Sequence, residues 1–387
     1  MIWDYLKNRN SMMHETNTLI VGASVAGLAS AACLAKAGID YTIIEKHEAV
    51  VTPWRNHYER LHLHTNKKLS HLPYKKFQSQ IPIYPSRQQV VEYMDSYQRE
   101  FNINPIFNTE ARSIHRDGDY WITETSTGNF KSKHLIMATG AYGLPRKIEF
   151  KGMENFPGKI LHSSQFKNGQ EFKNQKVLVV GFGNSACEIA INLHEQGASS
   201  ALSVRHAVNV LPRDIFGIPV LQLGLLMLAL PPRFADKMNA PLIRLLTGDI
   251  RKLGLRKLPY GPLEQMQKDQ SVPLLDIGTL KLIRDGHCVV YDDIDRIDNK
   301  TVLFKDGRKD QFDAIVAAIG YNKGYAQDLL QVDKSRFEDL CVCVDKQKYF
   351  GKDGLYFCGF YVSPTGQIRE IGLDAQKIAK SISKDAH

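Results

Sequence analysis

Apolar and polar positions fall into blocks that predict two copies of one supersecondary unit. The first opens on the apolar strand Thr18-Leu-Ile-Val21, runs through an alanine-rich helix from Val25 to Ala37 stopped by Gly38, and closes on Tyr41-Thr-Ile-Ile-Glu45. A β-α-β unit of about 30 residues is the usual opening of a dinucleotide-binding fold. The second opens on Lys176-Val-Leu-Val-Val180, continues through a helix to His194 and closes on Ala201-Leu-Ser-Val204. Between them the pattern predicts a helix from Arg87 to about Glu100, short strands around Trp121 and Phe130, and a strand from His134 that ends in Ala-Thr139-Gly140. Further strands are expected at Cys288–Tyr291, Thr301–Phe304, Phe312–Tyr321 and, with alternate cysteines on one face, Cys341–Cys343. Gly354–Gly359 is expected to return to the first sheet, with a last helix over Gln367–Ile382.

This order predicts an α/β fold of two Rossmann-like domains, the second inserted in the first. Residues 1–16 read as a loose extension, 17–165 as the first part of domain one, 166–322 as domain two and 323–387 as the return of domain one. Residues 50–90 are irregular and rich in His, Pro and Arg, and read as loops. Residues 211–275 lack alternation and read as a helical insertion. Its apolar run Ile218–Leu230 is too short and too interrupted to span a bilayer. A core or substrate-tunnel helix, a membrane-surface contact helped by Arg233, Lys237 and Arg244, and a dimer face are all open for it.

Each strand-to-helix junction carries a glycine loop, Gly22-Ala-Ser-Val-Ala-Gly27 and Gly181-Phe-Gly-Asn-Ser-Ala186. The first glycine permits the tight turn, and the last lets helix and strand pack closely. Backbone amides at the helix start then cradle phosphate. Ser24 stands where the ideal pattern has its middle glycine, and small Ala26 follows it. The second loop keeps Gly181 and Gly183, with Asn184 and Ser185 opening the helix. A pair of such loops predicts two dinucleotides held face to face. Glu45, at the end of the second strand, suits the adenosine ribose hydroxyls, its alternative being an exposed strand-end charge. The second unit has Val204-Arg205-His206 where an acid would accept a ribose. An arginine pairs with a 2′-phosphate, which selects NADPH over NADH, unless Arg205 is a plain surface charge. Arg213 is a second candidate there.

Composition changes this picture little. At 387 residues, 43% hydrophobic and 24% charged, the chain is an ordinary globular one of two or three domains. The formal net charge of +9, from 50 basic and 41 acidic residues, reads as a solvated lysine-rich surface or an attraction for polyanions. Without a nucleic-acid motif it does not argue for DNA or RNA. The six cysteines fit neither a disulfide framework nor a zinc site, and no C-x-x-C occurs, so the dithiol centre of a thioredoxin-reductase-like enzyme is missing. The N-terminal residues have no signal-type apolar core. A reducing cytoplasmic setting is the expectation.

Between the loops, Phe156-Pro-Gly158-Lys-Ile-Leu-His162-Ser-Ser-Gln-Phe166 fits the F-x-G-x-x-x-H-x-x-x-[F/Y] fingerprint of flavin-dependent monooxygenases. From about residue 17 onward the chain resembles the YUCCA-type branch of the flavin-containing monooxygenases (class B). The stretches that carry the likeness include His57–His64, Ile83–Arg87, Val210–Arg213, Gly261–Glu264 and Leu275–Leu280. The resemblance implies FAD at the first loop, with Lys46, His64, Thr139, Gly140, Gly320 and Gly359 as further cofactor contacts, and NADPH at the second loop. Trp54-Arg55 resembles a flavin-contacting pair. Asn66 resembles an asparagine beside the flavin ring and nicotinamide ribose, where it would act in catalysis, although an ordinary turn residue fits as well. His162 is assigned a structural or cofactor-positioning role, and the amides that open the last helix are expected to face the flavin. Two departures stand out: Gly359-Phe360 replaces a common Gly-Asp, and Ile319 precedes Gly320 where threonine is common.

In such enzymes NADPH reduces FAD, and O2 forms a flavin C4a-(hydro)peroxide that inserts one oxygen atom into a small organic substrate. Oxidative decarboxylation of an arylpyruvate such as indole-3-pyruvate is the implied reaction, with N- or S-oxygenation and Baeyer–Villiger oxidation open. The rivals are an NADPH oxidase or flavin-dependent reductase, and a flavin-binding regulatory protein without turnover. The sequence leaves the oligomeric state open.

Overall fold

The computed structural model describes residues 13–140, 144–227, 230–269, 271–322, 325–332, 352–360 and 366–385. The chain divides into two compact units, one formed within residues 1–56, 66–144 and 322–387, the other within 57–65 and 145–321. Residues 57–65, expected among the loops of the first domain, are thus part of the second unit.

The first unit holds strands β1 (Met13–Val21), β2 (Tyr41–Ile44), β3 (Ala111–Asp117), β4 (Tyr120–Thr125) and β5 (Asn129–Met137) in the order β2-β1-β5-β4-β3. The strand Leu355–Phe357 also pairs with β5, in parallel. β5 serves both partners in turn: its Asn129–Ser132 half faces β4, and its Leu135–Met137 half faces the returning strand. β1 begins at Met13, five residues before the expected start, and pairs with β5 from Asn129 onward. Its first residues are mostly exposed and, after Met13, polar, so they carry no burial signal; strand pairing and the stacking of His14 on Phe130 hold them. Leu19, Val21, Trp121, Phe130, Met137 and Phe357 form one core on this sheet.

Helix α1 (Val25–Lys36) is buried from Val25 to Leu34. Gly27 lets it lie close to its strand: a Cβ there would meet the carbonyl oxygen of Gly22 at 1.9 Å. Helix α2 (Arg87–Glu100) starts on a capping box, Ser86 accepting from the Gln89 amide while the Gln89 side chain accepts from the Ser86 amide. It buries Val90, Val91, Tyr93, Met94 and Tyr97 on one face. The C-terminal helix runs Gln367–Asp385, three residues beyond the expected end.

The second unit contains β6 (Lys159–His162), β7 (Lys176–Val180), β8 (Ser199–Ser203), β9 (Cys288–Tyr291) and β10 (Ala314–Ala317), all parallel in the order β9-β8-β7-β10-β6. Helix α3 (Asn184–Glu195) follows β7. An antiparallel meander over residues 294–311 packs Ile297, Val302 and Phe304 with Leu178, Tyr291 and Phe312. The expected helical insertion contains helices α4 (Val220–Met227), α5 (Pro232–Thr247) and α6 (Pro262–Asp269). It also contains strands: Val210–Pro212 pairs in parallel with Leu274–Asp276, and Asp214–Ile215 forms a hairpin with Ile218–Pro219. These pieces are two or three residues long, too short for alternation to announce them. The apolar run supplies one hairpin strand and α4. The strand expected at Cys341–Cys343 lies outside the described residues. Among the described residues no helix is long and apolar enough to cross a membrane.

Candidate functional site

The first glycine loop joins β1 to α1. Gly22 has φ +105°, and a Cβ there would stand 2.8 Å from the Ala138 carbonyl oxygen, so backbone conformation and close approach both require glycine. Ser24 is the N-cap of α1, but its side chain makes no cap hydrogen bond. The first amides of a helix have no intrahelical partner, and here no side chain takes them up, in contrast to the capping box of α2. A cavity of about 160 Å³ opens beside this turn, lined by Gly22, Ser24, Glu45, Lys46, Thr139 and Tyr325 among others. The Glu45 carboxylate is buried; Oε2 accepts from the Ala23 amide at 2.7 Å and Oε1 from the His47 amide at 3.0 Å. The predicted acid is therefore also the brace that ties the end of β2 to the glycine turn. A carboxylate accepts about four hydrogen bonds, so capacity remains for a ligand hydroxyl. The Thr139 hydroxyl is buried at the same cavity without a partner. An unpaired buried hydroxyl beside uncapped amides fits a ligand that is both polar and anionic.

Other predicted residues of the first unit lie off that cavity wall. Arg55 is committed within its own unit, its guanidinium pairing with Asp95 and donating to the Val50 carbonyl at 3.0 Å. Trp54 precedes it in the short helix Thr52–Arg55, whose Pro53 does reach the cavity. Asn66 is buried and caps the 3-10 turn Lys67–Leu69, its Oδ1 accepting from the Leu69 amide at 3.2 Å. Its Nδ2 is buried without a partner, so the turn role uses half of the amide. Gly140 has φ +78°. Gly359, at φ +79°, is packed beneath the C-terminal helix and beside α1: a Cβ there would meet Ile371 at 2.7 Å and Ala26 at 3.6 Å. Its amide points to the carboxylate of buried Asp374 at 3.4 Å, and its carbonyl accepts from Gln367 Nε2 at 2.8 Å. Sequence reasoning missed Asp374. An acid reaches Gly359 from the helix, while the residue after Gly359 is Phe360, packed on the core.

The second loop repeats the construction. Gly181 has φ +124°, and a Cβ on it would meet the Ala318 carbonyl oxygen at 2.5 Å. Gly183 is the N-cap of α3, again without a side-chain cap, and the space beyond its Cα is open. Asn184 turns aside, its Oδ1 accepting from the Leu275 amide at 3.1 Å. Ser185 shares a hydrogen bond with the buried Tyr58 hydroxyl. Arg205 is exposed just after β8, and its Nε donates to His206 Nε2 at 2.8 Å. Among the described residues no acid pairs with it, whereas Arg213 is paired with Asp214 at 3.0 Å. Arg256 donates to the Arg205 carbonyl at 2.6 Å and pairs with Asp292 at 2.9 Å, fixing the backbone that carries Arg205.

His162 is buried at the end of β6. Its Nε2 reaches the Gly320 carbonyl at 3.1 Å, and its Nδ1 accepts from the Ser164 amide at 3.2 Å. Desolvation pulls its pKa below the ordinary imidazole value. Those contacts brace the turn at Gly320, which has φ +82°. His64 lies in the second unit, its Nε2 2.7 Å from Glu188 Oε1 on α3. Cys33, Cys187, Cys288 and Cys358 are buried free thiols, and burial pushes Cys33 and Cys288 up to about 11. Thiols held protonated in this way are poor redox nucleophiles.

Residues 19–211 match a family described as pyridine nucleotide-disulphide oxidoreductase. A probable indole-3-pyruvate monooxygenase, YUCCA1 of Arabidopsis thaliana, is 36% identical over 348 residues, 88% of this chain and 84% of that one. The indole-3-pyruvate monooxygenase YUCCA6 of the same plant is 36% identical over 95% of this chain and 90% of its own. Among solved structures, a flavin-containing monooxygenase from Stenotrophomonas maltophilia superposes with a TM-score of 0.69 at 17% identity, covering 97% of this chain and 100% of that one. The NADP+-bound cyclohexanone monooxygenase from Rhodococcus sp. Phi1 gives 0.74 at 14% identity, over 97% and 85%. A bacillithiol disulfide reductase from Staphylococcus aureus gives 0.68 at 17% identity, over 97% and 100%, so the architecture alone does not separate the two chemistries. Sequence identity over nearly the whole chain does: the protein belongs to the flavin-containing monooxygenase family, in the branch of the YUCCA enzymes.

Proposed function

We propose that this flavin monooxygenase binds FAD at the Gly22–Gly27 loop and NADPH at the Gly181–Ala186 loop, and that it oxygenates an arylpyruvate of the indole-3-pyruvate type. The observation that carries the cofactor reading is the pair of glycine turns behind uncapped helices, α1 and α3. Each offers unpaired amides to an anion, and the dipole of each helix favours negative charge at that end. The unit built on β1–β5 is then the FAD domain, and the unit built on β6–β10 the NADPH domain.

In this reading the first-loop amides and the Ser24 hydroxyl hold the FAD pyrophosphate, Glu45 accepts from ribose hydroxyls, and Thr139 gives its unpaired hydroxyl to the ligand. Arg205 takes the 2′-phosphate of NADPH, and His162 keeps the Gly320 turn in place. Bound FAD, once reduced by NADPH, supplies the O2 chemistry that no side chain can. The protein positions, desolvates and orients. Asn66, with a buried Nδ2 free to donate, is its candidate for orienting the reacting groups. The substrate class comes from the named activity of the relatives. Four buried thiols suit a reducing, cytoplasmic setting.

The test is stoichiometric. FAD-loaded protein is reduced anaerobically with NADPH and then given O2 with or without indole-3-pyruvate, and product, H2O2 and NADPH are counted. Bleaching by NADPH and close to one decarboxylated product per NADPH is the expected result. Protein that stays yellow with NADPH, or that yields one H2O2 per NADPH with every arylpyruvate tried, overturns the proposal.

A further inference from the structure

Residues 57–65 lie, within the second unit, against α3. Tyr58 bonds Ser185, the second residue of that helix. Arg60 pairs with Glu195 through Nε and NH2 at 2.8 and 2.9 Å, and its NH1 stands 4.0 Å from Glu188 Oε2. His64 Nε2 approaches Glu188 Oε1 at 2.7 Å. The Glu59 amide donates to the Lys167 carbonyl at 3.0 Å, which fixes the segment's backbone.

Glu188 is the anomalous member. Its side chain is 1% exposed, and despite the short approach of His64 neither oxygen receives an aligned hydrogen bond. His64 Nδ1 is buried and unpartnered as well. A carboxylate buried with such incomplete satisfaction is a poor stabiliser, since one unaligned imidazole contact and one guanidinium at 4.0 Å return little against the cost of burial. Its position gives it a second cost. Glu188 is four residues into α3, about 6 Å along the axis from the helix start at ~1.5 Å per residue. That is within a Debye length of the turn where the dinucleotide phosphates are proposed to sit, and like charges at that range oppose each other.

We infer that His64 and Arg60 screen the buried charge of Glu188 beneath the second phosphate loop, so that α3 presents a net attraction to a dinucleotide polyanion. They are positioning residues: they act on the ligand through the field of Glu188, and through the Tyr58–Ser185 contact they hold the segment in register with the loop. The inference rests on the second loop being the NADPH site.

The test is a charge-rescue comparison read by calorimetric titration of FAD-loaded protein with NADP+, so that no turnover is needed. His64→Gln should raise the NADP+ dissociation constant roughly tenfold, by leaving the buried carboxylate of Glu188 faced by Arg60 alone. His64→Gln combined with Glu188→Gln should bring it back to within about threefold of the parent, with FAD content unchanged throughout. A purely structural role predicts the reverse order, the double variant being the weaker binder. An unchanged constant in His64→Gln, or a double variant as weak as the single, overturns the inference. If His64→Gln does not fold, Arg60→Met with and without Glu188→Gln gives the same comparison. Absence of NADP+ binding in the parent, or its persistence in Gly181→Ala, would instead count against the site assignment on which the inference stands.

Discussion

Glu45 gives one carboxylate oxygen to each of two backbone amides, Ala23 and His47, so the acid marked by the sequence for a ribose also holds the turn. Its place after β2 was legible; its structural load was not, because a backbone amide leaves no trace in a side-chain pattern. Asp374 and Glu188 escaped for a related reason: each is one acid in a helix, and nothing in the spacing says it will be buried. Trp54-Arg55 was legible as a motif, yet the Arg55 guanidinium is already engaged with Asp95. Among the described residues Arg205 has no acid partner and is therefore the residue on which cofactor choice should turn. Arg205→Ala should raise the KM for NADPH by ten- to a hundredfold, matching the ~1.5–3 kcal/mol of a hydrogen bond to a charged group, and leave the KM for NADH nearly unchanged. Equal effects on both would remove the 2′-phosphate assignment.

At the scale of elements, periodicity located the regular strands and helices well, and α2 was read to its observed ends. It failed where pairing rather than burial decides. The exposed start of β1 and the short strands at 210–219 are held by backbone hydrogen bonds that any side chain allows. The two glycine turns are the elements whose geometry leaves least freedom. Gly181→Ala adds left-handed strain of about 1–2 kcal/mol and a Cβ 2.5 Å from the Ala318 carbonyl, which as backbone cannot swing away. Flavin should stay bound in that variant while NADP+ binding is lost in calorimetric titration. Gly22→Ala, crowded against the Ala138 carbonyl, should instead yield protein purified without yellow colour. Retained flavin in Gly22→Ala would show that the first turn tolerates a wider path than its contacts imply.

For the whole molecule, two buried histidines set an expected response to acid. Desolvation lowers the pKa of both His134 and His162 in the folded chain. Below the ordinary imidazole value of about 6.5 the unfolded chain takes up protons that the folded one refuses, so stability is full above that pH and declines as pH falls. The unfolding free energy from urea titrations should drop between pH 7.5 and 5.5, by at most ~1.4 kcal/mol per pH unit for each histidine, and His162→Gln should shallow the slope. A flat or rising profile would mean that other groups dominate. The divided partnership of β5 has a different consequence. Its far half is completed by Leu355–Phe357, more than 200 residues later in the chain, whereas β6–β10 come from one continuous stretch, 145–321. During synthesis the later-encoded sheet can close while the earlier-encoded one still waits for its last strand on the ribosome. Such a delay leaves an open strand edge in the nascent chain and makes slow, chaperone-dependent maturation the expected phenotype of mutations at that seam.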